Sequence, residues 1–426
     1  MKKALIISKE YYPISNGSVT CLSNLLEQFT KEFTVDVVTF KDDKSEAIHE
    51  RLDDCNIIRL SHWSDDIMTT RINWLATLSI KQQSIKKTLA AITKLPLIPL
   101  YLVSKKSGLL YNDCWAQNGY RNLNTNLDLN SYDFVLAMGA PFENLDLAMR
   151  VAKKKNIPLY IMQLDLFSYN PTNDLKDQAL FKYRLEKEFS WYEAADQVFV
   201  TNEMYDAMKE TKLMHYKKKI MPIQMPNLKK PNLEFNVKSY EDGKDINVLY
   251  TGMFYEDIRN PKYMLKVFEK IFIKYPNIKL HIIGFGCEDI INKYIIKYPF
   301  NILFYGRKGK KDVLDAMNSA DILLNVSNKT ITQAPSKIIE YISTGKPIVN
   351  FHSVDGDICE KILNSYEYSY SIREDFEGNS EAIIEELFAF MKNYKGKQQT
   401  FESIQKSYIE YTPEFVAEKM LKKIRV

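Results

Sequence analysis

Apolar residues fall along this chain in short runs, separated by longer amphipathic stretches. "KALIIS" (residues 3–8) reads as a buried strand, followed by the loop "KEYYPISNGS", the amphipathic "VTCLSNLLEQFTKEF" and the strand "VDVVTF". "NIIRL", "DFVLAM", "PLYIMQL" and "QVFVT" are further strand-like runs, and helical periodicity appears at 143–154, 176–194 and 203–212. Three prolines between 222 and 231, in "KKKIMPIQMPNLKKPNLEFN", break the pattern and read as a linker. It then restarts with "INVLYTG", a helix from Pro261 to about Tyr275, "KLHIIG", "NILFYG", the helix "KDVLDAMNSA", "DILLNV", the helix "SKIIEYIS" and "PIVNF". The tail, "SEAIIEELFAFMKNY" and "TPEFVAEKMLKKIRV", is helical.

Strands alternating with helices predict an α/β protein, each sheet parallel and covered on both faces. A length of 426 residues exceeds one ordinary core. Two doubly wound domains are therefore expected, 1–225 and 226–400, with a basic and apolar helical insertion near 67–125. A C-terminal helix over 401–426 is expected to pack back on the first domain. Such folds bind ligands at the carboxyl ends of their strands, which predicts a site in a cleft between facing domains.

The composition is ordinary, 45% hydrophobic and 26% charged, and a net charge of +4 gives a nucleic-acid-binding reading no help. Cysteines 21, 55, 114, 287 and 359 are scattered, without metal-like spacing, so a reduced, cytoplasmic setting and no metal site are expected. The opening "MKKALIISKEYYP" lacks the apolar length of a signal peptide, and no run reaches a membrane span. Between Ile67 and Asn112 there is no acidic residue, while seven Lys and Arg interleave with Trp74, Leu75, Ile85 and "LPLIPLYLV". That pattern suits peripheral contact with an anionic membrane surface. A helical insertion with solvated lysines is the competing reading, and Pro96 and Pro99 exclude a continuous span.

Four segments present candidate chemistry. Gly17, in the "NGS" loop after the first strand, lets a ligand approach a helix N-terminus, although most such glycines only make turns. Gly252 ends a strand, and Arg259 follows in the loop before Pro261, where a guanidinium can fork onto a diphosphate or simply lie solvated. Gly284, Gly286 and Gly306 sit at strand ends without forming a dinucleotide fingerprint. In "SKIIEYIS", Ile338, Ile339 and Ile342 share one face. Ser336, able to cap the helix, shares the other with Lys337 and Glu340. A carboxylate so placed can accept hydrogen bonds from the two hydroxyls of a ribose; the alternative is a charge on a solvated face.

In order, the Gly17 loop, the proline-rich linker, "TG…IRNP", "IIGFG", "FYG", "ADILLN" and "PSKIIEYISTGKPIV" resemble a GT-B glycosyltransferase of family four. The likeness is strongest from Asn247 to Phe351 and weak over 61–130. It implies two Rossmann-like domains, donor nucleotide-sugar on the second, acceptor on the first, retention of anomeric configuration, and no metal or other cofactor. By the same resemblance Glu340 binds the donor ribose. Ser336 and Lys337 offer helix-terminal N–H groups to the diphosphate, with Pro335 beside them in the donor site, joined by Arg259, Gly252, Gly284 and Gly17. The backbone around Tyr305, Gly306 and Arg307 meets the base. Thr332 stands where the family usually has the first glutamate of a pair, Met253 where it often has a basic residue, and "GAPF" where a histidine is frequent.

What the resemblance implies is a hexosyltransferase moving a sugar, a UDP-sugar by expectation, to a glycan or lipid-linked acceptor in polysaccharide synthesis. Arg259 stabilises the leaving diphosphate, and Asp165 in "QLDLFS" is the candidate side-chain base, with an N-cap or buried charge partner as its competing role. A non-catalytic GT-B partner subunit, supported by Thr332 and Met253, and a nucleotide-sugar epimerase on the same fold are the other readings. Closure about residues 222–234 is expected to exclude water.

Overall fold

The computed structural model describes residues 2–14, 16–41, 47–52, 54–60, 112–139, 142–170, 177–231, 245–330, 336–374 and 381–424. Most of the basic and apolar insertion, Thr332 and Pro335 lie outside them. The chain divides into two compact units, Met1–Gln224 with Val416–Val426, and Met225–Phe415.

The first unit is built on an eight-stranded sheet. Its strands are β1 (Lys2–Ile7), β2 (Phe33–Phe40), β3 (His49–Leu52), β4 (Cys55–Leu60), β5 (Phe134–Met138), β6 (Leu159–Gln163), β7 (Gln197–Thr201) and β8 (Ile220–Ile223), in the order β3-β4-β2-β1-β5-β6-β7-β8. All pairs are parallel except β3 with β4. β5 and β6 are buried at every position, as strands covered on both faces must be. The helices are α1 (Gly17–Phe29), α2 (Asn112–Asn126), α3 (Glu143–Lys155), α4 (Gln178–Ala194) and α5 (Asn202–Met208). Trp191 and Tyr192 of α4 are wholly buried, and Trp191 Nε1 donates to Asp146 of α3 at 2.6 Å.

The expected linker begins too early. Ile220–Ile223 pairs with β7 as the last strand of the sheet, and Pro222, which has no N–H to donate, is tolerated because among the described residues this strand has no neighbour on its outer side.

The second unit has a six-stranded, wholly parallel sheet in the order β11-β10-β9-β12-β13-β14. The strands are β9 (Ile246–Met253), β10 (Ile278–Phe285), β11 (Ile302–Gly306), β12 (Ile322–Val326), β13 (Ile348–His352) and β14 (Ser369–Arg373). Helices α6 (Lys262–Lys274), α7 (Glu288–Lys297), α8 (Lys310–Ser319), α9 (Lys337–Ser343), α10 (Ile358–Leu363) and α11 (Glu381–Tyr394) connect and follow them. From β9 the chain builds outward through β10 and β11, then crosses back to place β12 on the other side of β9. That reversal is a topological switch point, where doubly wound sheets open a ligand crevice at the strand ends.

The tail is not a single helix. It breaks into α12 (Phe401–Ser407), a 3₁₀ turn and α13 (Pro413–Leu421). Ile404 and Tyr408 join the core of the second unit, with Ile338, Ile342 and Leu363, and only Val416–Val426 belongs to the first. The polar bends at Tyr408 and Thr412 interrupt the helical pattern, and each closes its turn through backbone bonds.

Candidate functional site

Pairing between β9 and β12 runs from Val248↔Ile322 to Tyr250↔Leu324 and stops there. Thr251, next along β9, thus lacks a strand partner on that side. Tyr341 of α9 supplies one. Thr251 N donates to the Tyr341 hydroxyl at 2.9 Å, that hydroxyl donates to Thr251 O at 3.2 Å, and Thr251 Oγ1 lies 3.0 Å away. Burial first, and the Glu340 charge among lesser causes, push this phenol up to about 12, while Thr251's hydrogen bonds and Arg259 act the other way. It is therefore a neutral donor at physiological pH.

α9 is in this way tied through Tyr341 to the end of β9. Lys337 Nζ meets Glu340 Oε2 at 2.6 Å, with both side chains partly exposed. Ser336 does not cap: its backbone is already helical and its side chain makes no cap bond, in contrast to the expectation from sequence. Glu340 is nevertheless placed one turn into the helix, as its phase predicts.

Arg259 enters from the β9–α6 loop. Tyr255 N and Arg259 N each bond the other's carbonyl, at 3.1 and 2.9 Å, closing a small turn. Lys329 N donates to Ile258 O at 2.8 Å and ties that turn to the segment after β12. The guanidinium then reaches across. Nε and Nη2 donate to Asn328 Oδ1 at 3.1 and 2.8 Å, and Nη1 donates to Met253 O at 3.2 Å. Met253 contributes through its backbone, a role its side chain does not signal.

Two glycines let the strand ends of β9 and β10 come together. At Gly284 (φ 158°) an added Cβ would lie 1.7 Å from Gly252 O, and at Gly286 (φ 92°) 2.2 Å from Phe254 O. No other residue fits either position. Beyond them, Gly306 ends β11 in the left-handed region (φ 66°), and Arg307 lies over the Phe285 ring at 5.2 Å.

Tyr305 is engaged within its own sheet. Its hydroxyl lies 2.9 Å from His281 Nδ1, with the rings parallel, and His281 Nε2 lies 3.0 Å from Asn247 Oδ1. An amide oxygen only accepts, so Nε2 carries the proton and Nδ1 accepts from Tyr305. Burial, with Lys279 adding to it, lowers the His281 pKa to about 4.

Asp165 and Gly17 belong to the first unit. Asp165 follows β6 in a loop fastened by the wholly buried Glu188 of α4. Glu188 accepts from Gln163 Nε2 at 2.8 Å, from Phe167 N at 3.2 Å, from Ser168 N at 3.0 Å, and from the Ser168 hydroxyl. Burial pushes its carboxyl above the usual range against those four bonds. Gly17 opens α1 behind Asn16, which caps the helix by accepting from Val19 N at 2.9 Å. The structure thus gathers Gly252, Arg259, Gly284, Lys337 and Glu340 in the second unit. It adds Thr251, Asn328 and Tyr341, which the sequence did not single out.

Residues 245–387 match the family model described as Glycosyl transferases group 1. No curated protein matches the chain. Among solved structures, the lipopolysaccharide outer core galactosyltransferase WaaB in its apo form is similar at 14% identity and a TM-score of 0.53, over 100% of this chain and 99% of that one. Anabaena HepE in complex with UDP and glucose is similar at 11% identity and a TM-score of 0.55, over 100% and 99%. A putative UDP-N-acetylglucosamine 2-epimerase from Listeria monocytogenes is similar at 12% identity and a TM-score of 0.53, over 100% and 96%. Identities this low establish shared architecture, and the presence of an epimerase among them leaves the reaction to be argued from the site. The chain thus has a GT-B fold, and its residues 245–387 match the glycosyl transferases group 1 model.

Proposed function

We propose that the protein is a retaining hexosyltransferase that moves a sugar from a nucleotide-sugar, a UDP-sugar in our reading, to a glycan or lipid-linked acceptor in cell-surface polysaccharide synthesis. One observation carries this reading. The Tyr341–Thr251 bonds tie the helix that bears Glu340 to the end of β9, the strand from which the Arg259 loop departs. A ribose diol needs a carboxylate acceptor, and a diphosphate needs a fixed cation, at one strand end.

In this mechanism the sugar–phosphate bond lengthens and charge builds on the leaving diphosphate. A cation already held in place stabilises that charge more than it stabilises the ground state. Arg259 fills this role, and we propose that no metal or other cofactor is needed. The leaving diphosphate accepts the proton of the acceptor hydroxyl, with Asp165 as the side chain that would assist. Lys337 must release Glu340 when the ribose arrives, and its ammonium is then free for a phosphate oxygen. UDP-containing complexes among proteins of like fold support the choice of nucleotide.

No helix among the described residues is long and apolar enough to cross a membrane. We place the enzyme in the cytoplasm, with the basic 67–112 stretch, all but Asn112 of it outside the described residues, as the element that would meet an anionic membrane surface.

The test is thermal unfolding with UDP, GDP, TDP and CMP, for the wild type and Glu340→Ala. A ligand at 100 times its Kd raises stability by about 2.7 kcal/mol. One nucleotide should shift the wild type, with the shift lost in Glu340→Ala. A shift from none of the four turns the reading to a partner subunit that binds without turnover. Transfer product, as against a sugar epimer, separates the transferase from the epimerase.

A further inference from the structure

We propose that Asn328 is a positioning residue that holds the Arg259 guanidinium in place for an anionic ligand while leaving its charge uncompensated. The ligand's identity, a nucleoside diphosphate, rests on the function proposed above.

A guanidinium has five N–H donors and no acceptor. Arg259 directs three of them at neutral oxygens: two at Asn328 Oδ1 and one at Met253 O. No carboxylate forms an ion pair with Arg259 among the described residues. Other cations of this unit do end on carboxylates, as Lys337 does on Glu340 and Arg373 on Asp355. Tyr250 is also within hydrogen-bonding reach of the guanidinium, and its phenol is neutral as well. Bound to neutral groups among the described residues, this partly buried arginine keeps its whole positive charge for an anionic acceptor. The charge stands where β9 and β12 part, at the switch point of the sheet.

The choice of asparagine is informative because aspartate has the same shape. An aspartate at 328 would receive the same donors, and the charge-assisted bonds would be roughly twice as strong. Asn328 is buried, so that gain would be little screened by solvent. The position thus holds the neutral acceptor, which leaves the cation available. Geometry is secured independently by the Tyr255–Arg259 turn and the Lys329–Ile258 bond, so exchanging one side chain leaves the backbone frame intact.

The experiment uses the full chain as wild type, Asn328→Asp and Asn328→Ala. The Tm of each is measured, together with calorimetric Kd values for UDP and for inorganic diphosphate. Asn328→Asp should keep or raise the Tm while weakening both ligands about tenfold or more, because its carboxylate neutralises the cation. Asn328→Ala should lower the Tm and also weaken both ligands, because the guanidinium is no longer held. A purely structural asparagine would not move stability and affinity in opposite directions. If the wild type binds UDP and Asn328→Asp binds it equally well, the clamp is refuted while the nucleotide reading stands. If the wild type binds inorganic diphosphate but none of the nucleotides, and Asn328→Asp loses that binding, the clamp stands and the nucleotide reading falls. Binding of neither ligand by the wild type overturns both.

Discussion

The Tyr341 hydroxyl both accepts from Thr251 N and donates to Thr251 O, filling the place of a strand that has turned away. In a β-strand, the N–H and C=O of one residue face the same neighbour. Where two strands separate, both groups of the next residue are orphaned together. A single hydroxyl satisfies both, and it fixes the helix that bears Glu340.

Tyr341→Phe removes that hydroxyl and leaves a buried backbone N–H without its acceptor. A loss of about 1–3 kcal/mol is expected in urea unfolding. If Glu340 is aimed by this contact, a double-mutant cycle with Glu340→Gln on nucleotide Kd should show coupling. Strictly additive effects on affinity would reduce Tyr341 to a purely structural role.

Gly284→Ala should be among the most damaging small substitutions in the second unit. Its methyl group would overlap the Gly252 carbonyl oxygen, and backbone cannot step aside as a side chain can. We expect a loss of about 4 kcal/mol or more, or failure to fold. Gly306→Ala meets nothing within 4 Å, and only its left-handed backbone opposes it, so it should be milder. Equal melting temperatures for the two variants would contradict this account.

His281 makes stability depend on pH in the acid range. Its folded pKa of about 4 lies below the unfolded value near 6.5. Between the two, the unfolded chain binds a proton that the folded one refuses. The stability supplied by the neutral ring is therefore complete above pH 6.5 and is lost as pH falls towards 4, by about 3 kcal/mol in all. His281→Gln should flatten the urea-unfolding profile over this window relative to the wild type. Parallel profiles would show that the histidine is not held neutral.

Glu188→Leu should destabilise the first unit by about 2–5 kcal/mol, since the Phe167 and Ser168 amides and the Gln163 side chain lose a common acceptor. If Asp165 takes part in transfer, kcat should fall further than stability alone explains, with donor Kd unchanged. A variant of wild-type stability would mean that water replaces the carboxylate there.

The legible parts of this protein were those written locally. β5, β6, β12 and β13 are largely apolar and buried at every position because both of their faces are covered, and the phase of "SKIIEYIS" assigns Glu340 to the polar side from spacing alone. What the sequence hid depends on distant partners. Asn328 sits in "NVSNKT", a string with the look of an ordinary loop, and its partner Arg259 lies 69 residues earlier. Tyr341 finds Thr251 at a separation of 90. β3, "HERL", is exposed or half-exposed along its length, so no apolar alternation marks it, and its pairing with β4 alone makes it a strand.

The division of the chain also bears on how it comes apart. Because Val416–Val426 rejoins the first unit, the polypeptide passes between the two units twice, after Gln224 and after Phe415. A protease that nicks only the first passage leaves a fragment beginning in the second unit and ending in the first. The two pieces should therefore co-purify under native conditions and separate in denaturant. For the same reason the first unit is completed only when Val416–Val426 has been made, so a truncation before Val416 should be felt by the unit that holds the first strands of the sequence.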